Sequence, residues 1–153
     1  MKHVLAIVFA HFLALPAVAQ QVETAIPDPL FLNGTGVELS EFLWINRPVV
    51  VFADSKFDPR FVQQMELLED RRAELSLRDV ILLTDTDPAA KSALRKKLRP
   101  RGFMLVLIGK DGNVYLRKPF PWDVREITRS IDKLPMRQQE MQDRRVSPTP
   151  EPE

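Results

Sequence analysis

Two short apolar runs, each followed by an Asp-Pro step, constrain the fold of this chain more than any other feature. Residues 49–53 read Val-Val-Val-Phe-Ala, and residues 80–84 read Val-Ile-Leu-Leu-Thr. Runs of this length and composition are typical of strands that are covered on both faces. Asp58-Pro59 and Asp87-Pro88 follow them. Because Asp caps free helix amides and Pro suits the first helical turn, the pattern predicts two strand-to-helix units in succession.

The second half of the chain predicts an antiparallel hairpin and a closing helix. Residues 103–108 form a third apolar run, residues 109–112 have the composition of a tight turn, and residues 114–117 return as a partner strand. Asp123 and Glu126 have the spacing of a capping box, and the apolar residues after Asp123 repeat at helical spacing. The order β-α-β-α-β-β-α therefore predicts an α/β domain with a mixed sheet and flanking helices.

The helices that flank these strands have predicted limits. The first long helix is expected from Pro59 to about Leu75, and the second from Pro88 to about Leu98. A brief helix over residues 41–45 is expected before the first central strand, with Ser40 as its cap.

The ends of the chain differ in composition from this central domain. Lys2 and His3 precede an apolar run at 4–15, and Ala17-Val18-Ala19 follows as a small-x-small cleavage signature. The run is shorter than the ~20 residues of a spanning helix, so we predict a cleaved signal peptide, a periplasmic or secreted protein and no membrane span after cleavage. The predicted divisions are a signal peptide (1–19), an extended leader (20–36), the α/β domain (37–136), and a helical extension with a disordered Pro- and Glu-rich tail (137–153).

Missing residue types exclude whole classes of chemistry. The sequence has no Cys, and its two His residues, His3 and His11, both lie in the predicted signal peptide. Without a thiol or an imidazole, thiol–disulfide exchange, thiol peroxidase activity, Ser-His-Asp catalysis and ordinary zinc, copper or haem ligation have no side chain to use. Only carboxylates, Lys, Arg, Tyr115 and hydroxyls remain for any chemistry. We select no catalytic residue or metal ligand among them and expect no cofactor.

The charge of the predicted mature chain is balanced. Once Lys2 is removed with the signal peptide, 21 basic side chains face 21 acidic ones. A balanced chain has no overall field that would attract nucleic acid or an anionic membrane. We therefore expect no nucleic-acid partner.

Three phrases of the sequence carry a family resemblance. They are Arg47-Pro48-Val49-Val50-Val51-Phe52-Ala53, Asp58-Pro59-Arg60 and Leu98-Arg99-Pro100-Arg101-Gly102-Phe103. Through them, the stretch from about Leu39 to Met136 resembles a family of domains of unknown function that is described as peroxiredoxin-like. The family occurs in bacterial exported proteins and in animal sushi-repeat extracellular proteins. The resemblance implies a thioredoxin-like fold.

The same resemblance shows where this chain departs from active thioredoxins and peroxiredoxins. Their reactive Cys lies directly after the first central strand, where this chain has residues 54–60 without any sulfur. Their cis-proline, which faces that Cys, would fall near Phe103-Met104, and neither residue is Pro. Because both halves of the redox site are missing, the resemblance does not extend to redox activity.

The corner where the redox site would lie is the candidate binding surface. Ligands of α/β sheets bind beyond the carboxyl ends of the strands, and this corner unites residues 54–60 with the loop after the second helix. The candidate binding residues are Asp54, Ser55, Lys56, Asp58, Arg60, Arg99, Arg101 and Phe103, with Asp85 and Asp87 as neighbours from the next strand. An unknown protein or a small anionic ligand of the cell envelope is the expected partner.

Each of these groups also has a purely structural interpretation. Asp58 and Asp87 have the position of helix caps, and the charges at 54–60 are typical of a solvated ion group. Basic residues near Arg99 suit the C-terminus of a helix, and Phe103 suits a core. The leading hypothesis is a non-catalytic binding or scaffold protein. The alternatives are an envelope enzyme that uses carboxylate or Lys chemistry at the same corner, and an assembly factor that binds through residues 136–153.

Overall fold

A computed structural model describes residues 31–146 of the chain. Within that part, no helix is both long and apolar enough to cross a membrane. The strands are β1 (Phe31–Asn33), β2 (Arg47–Phe52), β3 (Val80–Asp85), β4 (Met104–Ile108) and β5 (Val114–Lys118). The helices are α1 (Pro59–Asp70), α2 (Arg72–Ser76), α3 (Ala93–Leu98), α4 (Val124–Asp132) and α5 (Pro135–Val146), with 3₁₀ turns at Leu39–Phe42 and Pro88–Ala90.

The five strands form one mixed sheet in the order β1-β3-β2-β4-β5. β3 runs parallel to both β1 and β2, whereas β4 runs antiparallel to β2 and β5 runs antiparallel to β4. The parallel strands β2 and β3 are joined by a helical crossover through α1 and α2, and the antiparallel strands β4 and β5 by the predicted tight turn at 109–112. The predicted α/β class with a mixed sheet is confirmed.

Strand β1 corrects the prediction at the start of the domain. Residues 31–33 were expected in an extended leader that ends at 36, outside the domain. They are extended, but they pair with β3 in the register Phe31↔Leu82 and so form an edge of the sheet. A strand of three residues is too short to show an apolar alternation. The predicted signal peptide and the remainder of the leader lie outside the described residues.

The two faces of β2 support two separate apolar cores. Successive side chains of a strand point to opposite faces, so Val49 and Val51 pack with α1, α2 and α4, while Val50 and Phe52 pack with α3. All four side chains are fully buried. Because helices cover both faces of β2, its central residues are all apolar. The carboxyl end of β2 therefore lies between two layers of helix.

The helices after β2 and β3 are shorter than predicted. The first ends at Asp70, and a separate helix begins at Arg72 after a break at Arg71. After Asp87 the chain forms only a 3₁₀ turn, and Lys91 then takes a left-handed backbone (φ 48°) before α3 begins. Ser92 caps α3 by accepting a hydrogen bond from the Arg95 amide, so the helix begins there and not at Pro88.

Helix α5 corrects the predicted end of the domain. The sequence predicts a helical extension from 137 onwards, outside the α/β domain, and the chain does form a helix as far as Val146. However, Arg137 is buried, and Glu140 reaches Arg47 at the start of β2. The helix is therefore attached to the sheet through charged side chains. The predicted disordered tail, residues 147–153, lies outside the described residues.

Candidate functional site

The candidate corner lies at the carboxyl end of β2. Asp58 caps α1, because its Oδ1 accepts a hydrogen bond from the Arg60 amide at 2.9 Å. The same carboxylate holds the Arg60 guanidinium, with Nη2 and Oδ2 3.0 Å apart. The Ser55 hydroxyl accepts a hydrogen bond from the Phe57 amide at 3.1 Å and shapes the turn before the helix. These local bonds fix the backbone of residues 55–60.

The corner holds an open, shallow hollow of about 500 Å³. It is lined by Asp54, Ser55, Phe57, Asp58, Pro59 and Arg60. The ring of Phe57 is 76% exposed, and the Lys56 ammonium lies 5.1 Å from its centroid. The hollow therefore contains a large exposed apolar ring, and Phe57 is not among the predicted binding residues.

The loop after α3 lies beside this hollow, as predicted. A Cβ added to Gly102 would lie 3.8 Å from Asp54 Oδ2, and the Arg60 guanidinium lies 5.7 Å from the centre of the Phe103 ring. Arg99 and Arg101 are exposed. Phe103, however, is 1% exposed and belongs to the core under α1 and α4. Its selection as a contact residue is therefore wrong, and the alternative core interpretation holds.

Asp85 is not part of the open corner. It is 1% exposed, and Oδ1 accepts a hydrogen bond from Arg95 Nε at 2.8 Å while Oδ2 accepts one from the Ser92 hydroxyl. Arg95 also donates to the backbone oxygen of Ala53. This buried pair therefore joins α3 to β2 and β3. Asp87 is exposed and caps the 3₁₀ turn by accepting a hydrogen bond from the Ala89 amide.

The ion pair at the corner keeps both Asp58 and Arg60 charged. The side-chain hydrogen bond from Arg60 holds the pKa of Asp58 below its ordinary value, and the same bond raises the pKa of Arg60. A carboxylate with a lowered pKa stays ionised at neutral pH and does not act as a general acid. In residues 31–146, no three or more His, Cys, Asp or Glu side chains are grouped so as to hold a metal ion.

A second charged group, which the sequence analysis missed, lies at the opposite end of β2. We call it the Arg47 cluster, and it comprises Arg47, Asp79, Lys110, Arg137 and Glu140. Glu140 accepts hydrogen bonds from Arg47 Nη2 at 2.8 Å and Arg137 Nη1 at 3.2 Å, and Lys110 Nζ lies 3.0 Å from it. Lys110 also bonds Asp79 at 2.9 Å. The sequence offers one signal for this cluster: Arg47 directly precedes the buried apolar run of β2, and a charged residue in that position needs partners from elsewhere in the fold.

Hydrogen bonds in the Arg47 cluster act strongly on the Glu140 carboxyl. Burial raises the pKa of Glu140, but hydrogen bonds from Arg47, Lys110 and Arg137 outweigh it and lower the pKa to about 2. The Nε atoms of Arg47 and Arg137 are buried without a hydrogen-bond partner. Each member of the cluster forms an ion pair with another member, and these pairs attach α5 to the start of β2.

Comparison with solved structures places this architecture among known folds. The chain superposes on reduced 2-Cys peroxiredoxin from Plasmodium vivax with a TM-score of 0.53 and 18% identity, covering 69% of this chain and 85% of that one. It also superposes on chloroplastic thioredoxin z with a TM-score of 0.50 and 21% identity, covering 67% of this chain and 92% of that one. At such identities the likeness shows the fold alone. The fold is thioredoxin-like, as predicted.

A family model gives a closer assignment. The model of the family described as "Domain of unknown function (DUF4174)" matches residues 38–140, which include β2 to β5, both cores and the Arg47 cluster. With its thioredoxin-like fold and its sequence without Cys, the chain is thus a thioredoxin-like domain with no thiol for redox chemistry. It belongs to the DUF4174 family.

Proposed function

We propose that this protein is an exported, non-catalytic binding domain of the cell envelope. In this proposal its contact surface is the corner at the carboxyl end of β2, made of residues 54–60 and the loop 99–102. Export is supported by the signal-peptide pattern of residues 1–19. The resemblance to exported bacterial and animal sushi-repeat proteins agrees with a location outside the cytoplasm.

The observation that carries the proposal is the exposure of Phe57. This ring is 76% exposed beside an open hollow, at the edge of the sheet where ligands of α/β folds bind. Aromatic residues, Phe among them, are enriched at the centres of protein contact surfaces, where polar residues form the rim. Asp58 and Arg60 beside it are held by hydrogen bonds to each other, so this part of the surface is formed before a partner arrives. The exposed Lys56 ammonium lies 5.1 Å from the centre of the ring.

The rival proposal, an envelope enzyme with carboxylate or Lys chemistry, has less support at this corner. Asp58 is committed to Arg60 and to the helix cap, and Asp85 is buried against Arg95. Only Asp54 remains as an exposed carboxylate of the hollow with no such bond among residues 31–146. A single exposed carboxylate gives neither an acid–base pair nor an activated nucleophile.

The test uses the mature chain, residues 20–153, as bait in native envelope extract, with quantitative mass spectrometry. The comparison is between wild type, Phe57→Ala and Leu77→Ala. Leu77 is 65% exposed and far along the chain from the corner, so it controls for the loss of any exposed apolar side chain. We expect Phe57→Ala to lose the partners that wild type and Leu77→Ala retain. Equal capture by all three variants contradicts a contact surface at this corner.

The absence of catalysis and the export step are tested separately. The mature chain is assayed for peroxide consumption and for disulfide reduction, and we expect rates equal to buffer; clear turnover in either assay overturns the non-catalytic proposal. Fusion of residues 1–19 to alkaline phosphatase, which is active only after export, is expected to give activity in the periplasmic fraction. Activity that stays absent while the fusion is expressed contradicts export.

A further inference from the structure

One surface of the molecule concentrates positive charge that has no internal partner. From Pro88 to Lys110 the chain has seven basic residues and no acidic one. Arg95 is paired with Asp85, and Lys110 with Asp79. The other five are exposed, and one of them, Lys91, lies before α3. The remaining four and Arg117 of β5 form what we call the basic surface: Lys96, Lys97, Arg99, Arg101 and Arg117.

The basic surface differs from the arginines that join parts of the fold by ion pairs. No carboxylate of residues 31–146 forms a salt bridge with any of its five members. Elsewhere, Arg47, Arg60 and Arg78 each have a carboxylate within 3.0 Å. Arg117 donates a hydrogen bond to the backbone oxygen of Leu98, which brings its guanidinium to the end of α3. Like charges gathered in this way repel one another unless an external anion neutralises them.

The end of α3 explains only part of this charge. A helix C-terminus favours cations within its last turn, and Lys96 and Lys97 lie there. Arg99 and Arg101 lie beyond the helix. Arg99 also has a left-handed backbone with φ 50°, a conformation that glycine adopts more cheaply than any side chain. The chain therefore carries a cation where the backbone favours glycine.

The composition of the surface indicates the chemistry of its partner. Among residues 88–102 no large apolar or aromatic side chain is exposed, because Leu94 and Leu98 are buried. Stacking platforms for nucleotide bases and apolar anchors for a membrane are therefore missing from this segment. Guanidinium groups bind carboxylates through paired hydrogen bonds. From this, we propose that the basic surface docks an acidic polypeptide segment of a partner protein.

This inference rests on the proposed binding function, since Arg99 and Arg101 belong to the loop beside the Phe57 hollow. The test measures fluorescence anisotropy of a labelled twelve-residue peptide of alternating Glu and Ser against the mature chain. A Gln-for-Glu peptide serves as its neutral control. We expect saturable binding of the acidic peptide only, weakened by added salt because exposed charges are screened. Absence of saturable binding overturns the inference, as does equal binding of the neutral peptide.

Variants at two left-handed positions make the test independent of folding. Arg99→Gly removes a cation and relieves the backbone, so we expect an equal or higher Tm; with Arg101→Ser added, we expect affinity to fall about tenfold. Lys91→Gly makes the same change of charge and backbone (φ 48°) before α3, and should weaken binding less than twofold. Equal losses from Arg99→Gly and Lys91→Gly overturn docking at this surface.

Two further arms separate this inference from its competitors and from the proposed function. The first arm measures binding of vesicles that contain phosphatidylglycerol and of a twenty-residue oligothymidylate. If either binds more tightly than the acidic peptide, the surface belongs to lipid or nucleic acid and the inference is overturned. Phe57→Ala leaves the basic surface intact and should keep the peptide affinity. If the acidic peptide does not bind while Phe57→Ala still loses envelope partners, only this inference is overturned. If the acidic peptide binds while Phe57→Ala keeps all envelope partners, only the proposed contact surface at Phe57 is overturned.

Discussion

The two ends of strand β2 carry charge in different ways. At its amino end, Arg47 is 1% exposed and joined to Glu140, which lies 93 residues later in the chain. At its carboxyl end, the exposed corner contains one ion pair, between Asp58 and Arg60, and those residues are two positions apart. At the amino end of β2 the arginine that joins distant elements is buried, whereas at the carboxyl end the arginine that pairs with a near neighbour in sequence is exposed. The contrast separates structural charge from charge that is available to a partner.

Asp85 shows that the difference between structural and available charge depends on burial, and not only on the end of the sheet at which a residue lies. It lies at the same edge of the sheet as Asp54, yet it is 1% exposed and bonded to Arg95 and Ser92. Asp54, two residues beyond the end of the neighbouring strand β2, is exposed beside the hollow. Two aspartates near the carboxyl ends of neighbouring strands therefore have different roles, and substitutions at the two ends of β2 test this difference.

The largest effect is expected from Arg47→Met. Removal of one partner from a buried ion group leaves the others without compensation, so we expect the free energy of unfolding to fall by about 3 kcal/mol. Urea denaturation measures this change. The control is Lys56→Met at the opposite end, where an exposed side chain is expected to contribute less than about 0.5 kcal/mol. Equal losses at the two ends would remove the distinction between them.

The next effect is a dependence of stability on pH that belongs to Glu140. Its pKa is about 2 in the folded chain against an ordinary value of 4.5, so its stabilising contribution is complete above pH 4.5 and is lost as the pH falls towards 2. The Glu140→Gln variant should be less stable at pH 7 by about 2–3 kcal/mol, and the difference from wild type should shrink through this window. Urea melts between pH 2 and 7 provide the measurement, and a difference that stays constant with pH would contradict the assignment.

A smaller effect is expected from Ser92→Ala. The variant loses the cap of α3 and the hydrogen bond to Asp85, and the expected decrease in unfolding free energy is about 1–2 kcal/mol. Ser76→Ala is a suitable control, because Ser76 is an exposed serine at the end of α2. If both variants unfold at the same urea concentration, the Asp85 group does not hold α3 in place.

The smallest effect is expected from Asp54→Asn. This side chain is exposed, so the change in unfolding free energy should stay within about 0.5 kcal/mol. Thermal melts of wild type and variant should therefore overlay. A clear destabilisation would assign Asp54 a structural role like that of Asp85, and the corner would then no longer differ from the Arg47 end.

The sequence predicts the fold well where the physical signal is local. The apolar runs of β2 and β3, the Asp58 cap and the turn at 109–112 each depend on residues close together in the chain, and all are present. Strand β1 was missed as part of the sheet because three residues give no periodic pattern. The division of the helix at Arg71 likewise left no mark in composition.

The candidate site is predicted less completely, because burial is a property of the folded chain. The proximity of residues 54–60 to the loop 99–103 follows from the strand order, and it is present. Whether an aromatic ring near that loop faces solvent or core does not follow from sequence: Phe103 is buried and Phe57 is exposed. The Arg47 cluster does not follow from the sequence, because its members come from segments that are far apart in the chain.

The direction of β1 has a practical consequence for mounting this protein on a solid support. Because β1 runs parallel to β3, the backbone enters it at Phe31 from the side of the sheet where Arg47 and α5 lie. The Phe57 hollow opens at the other side. The start of β1 therefore lies on the side of the sheet away from the hollow, and a biosensor chip or bead attached at that side of the sheet would leave the hollow facing the solution.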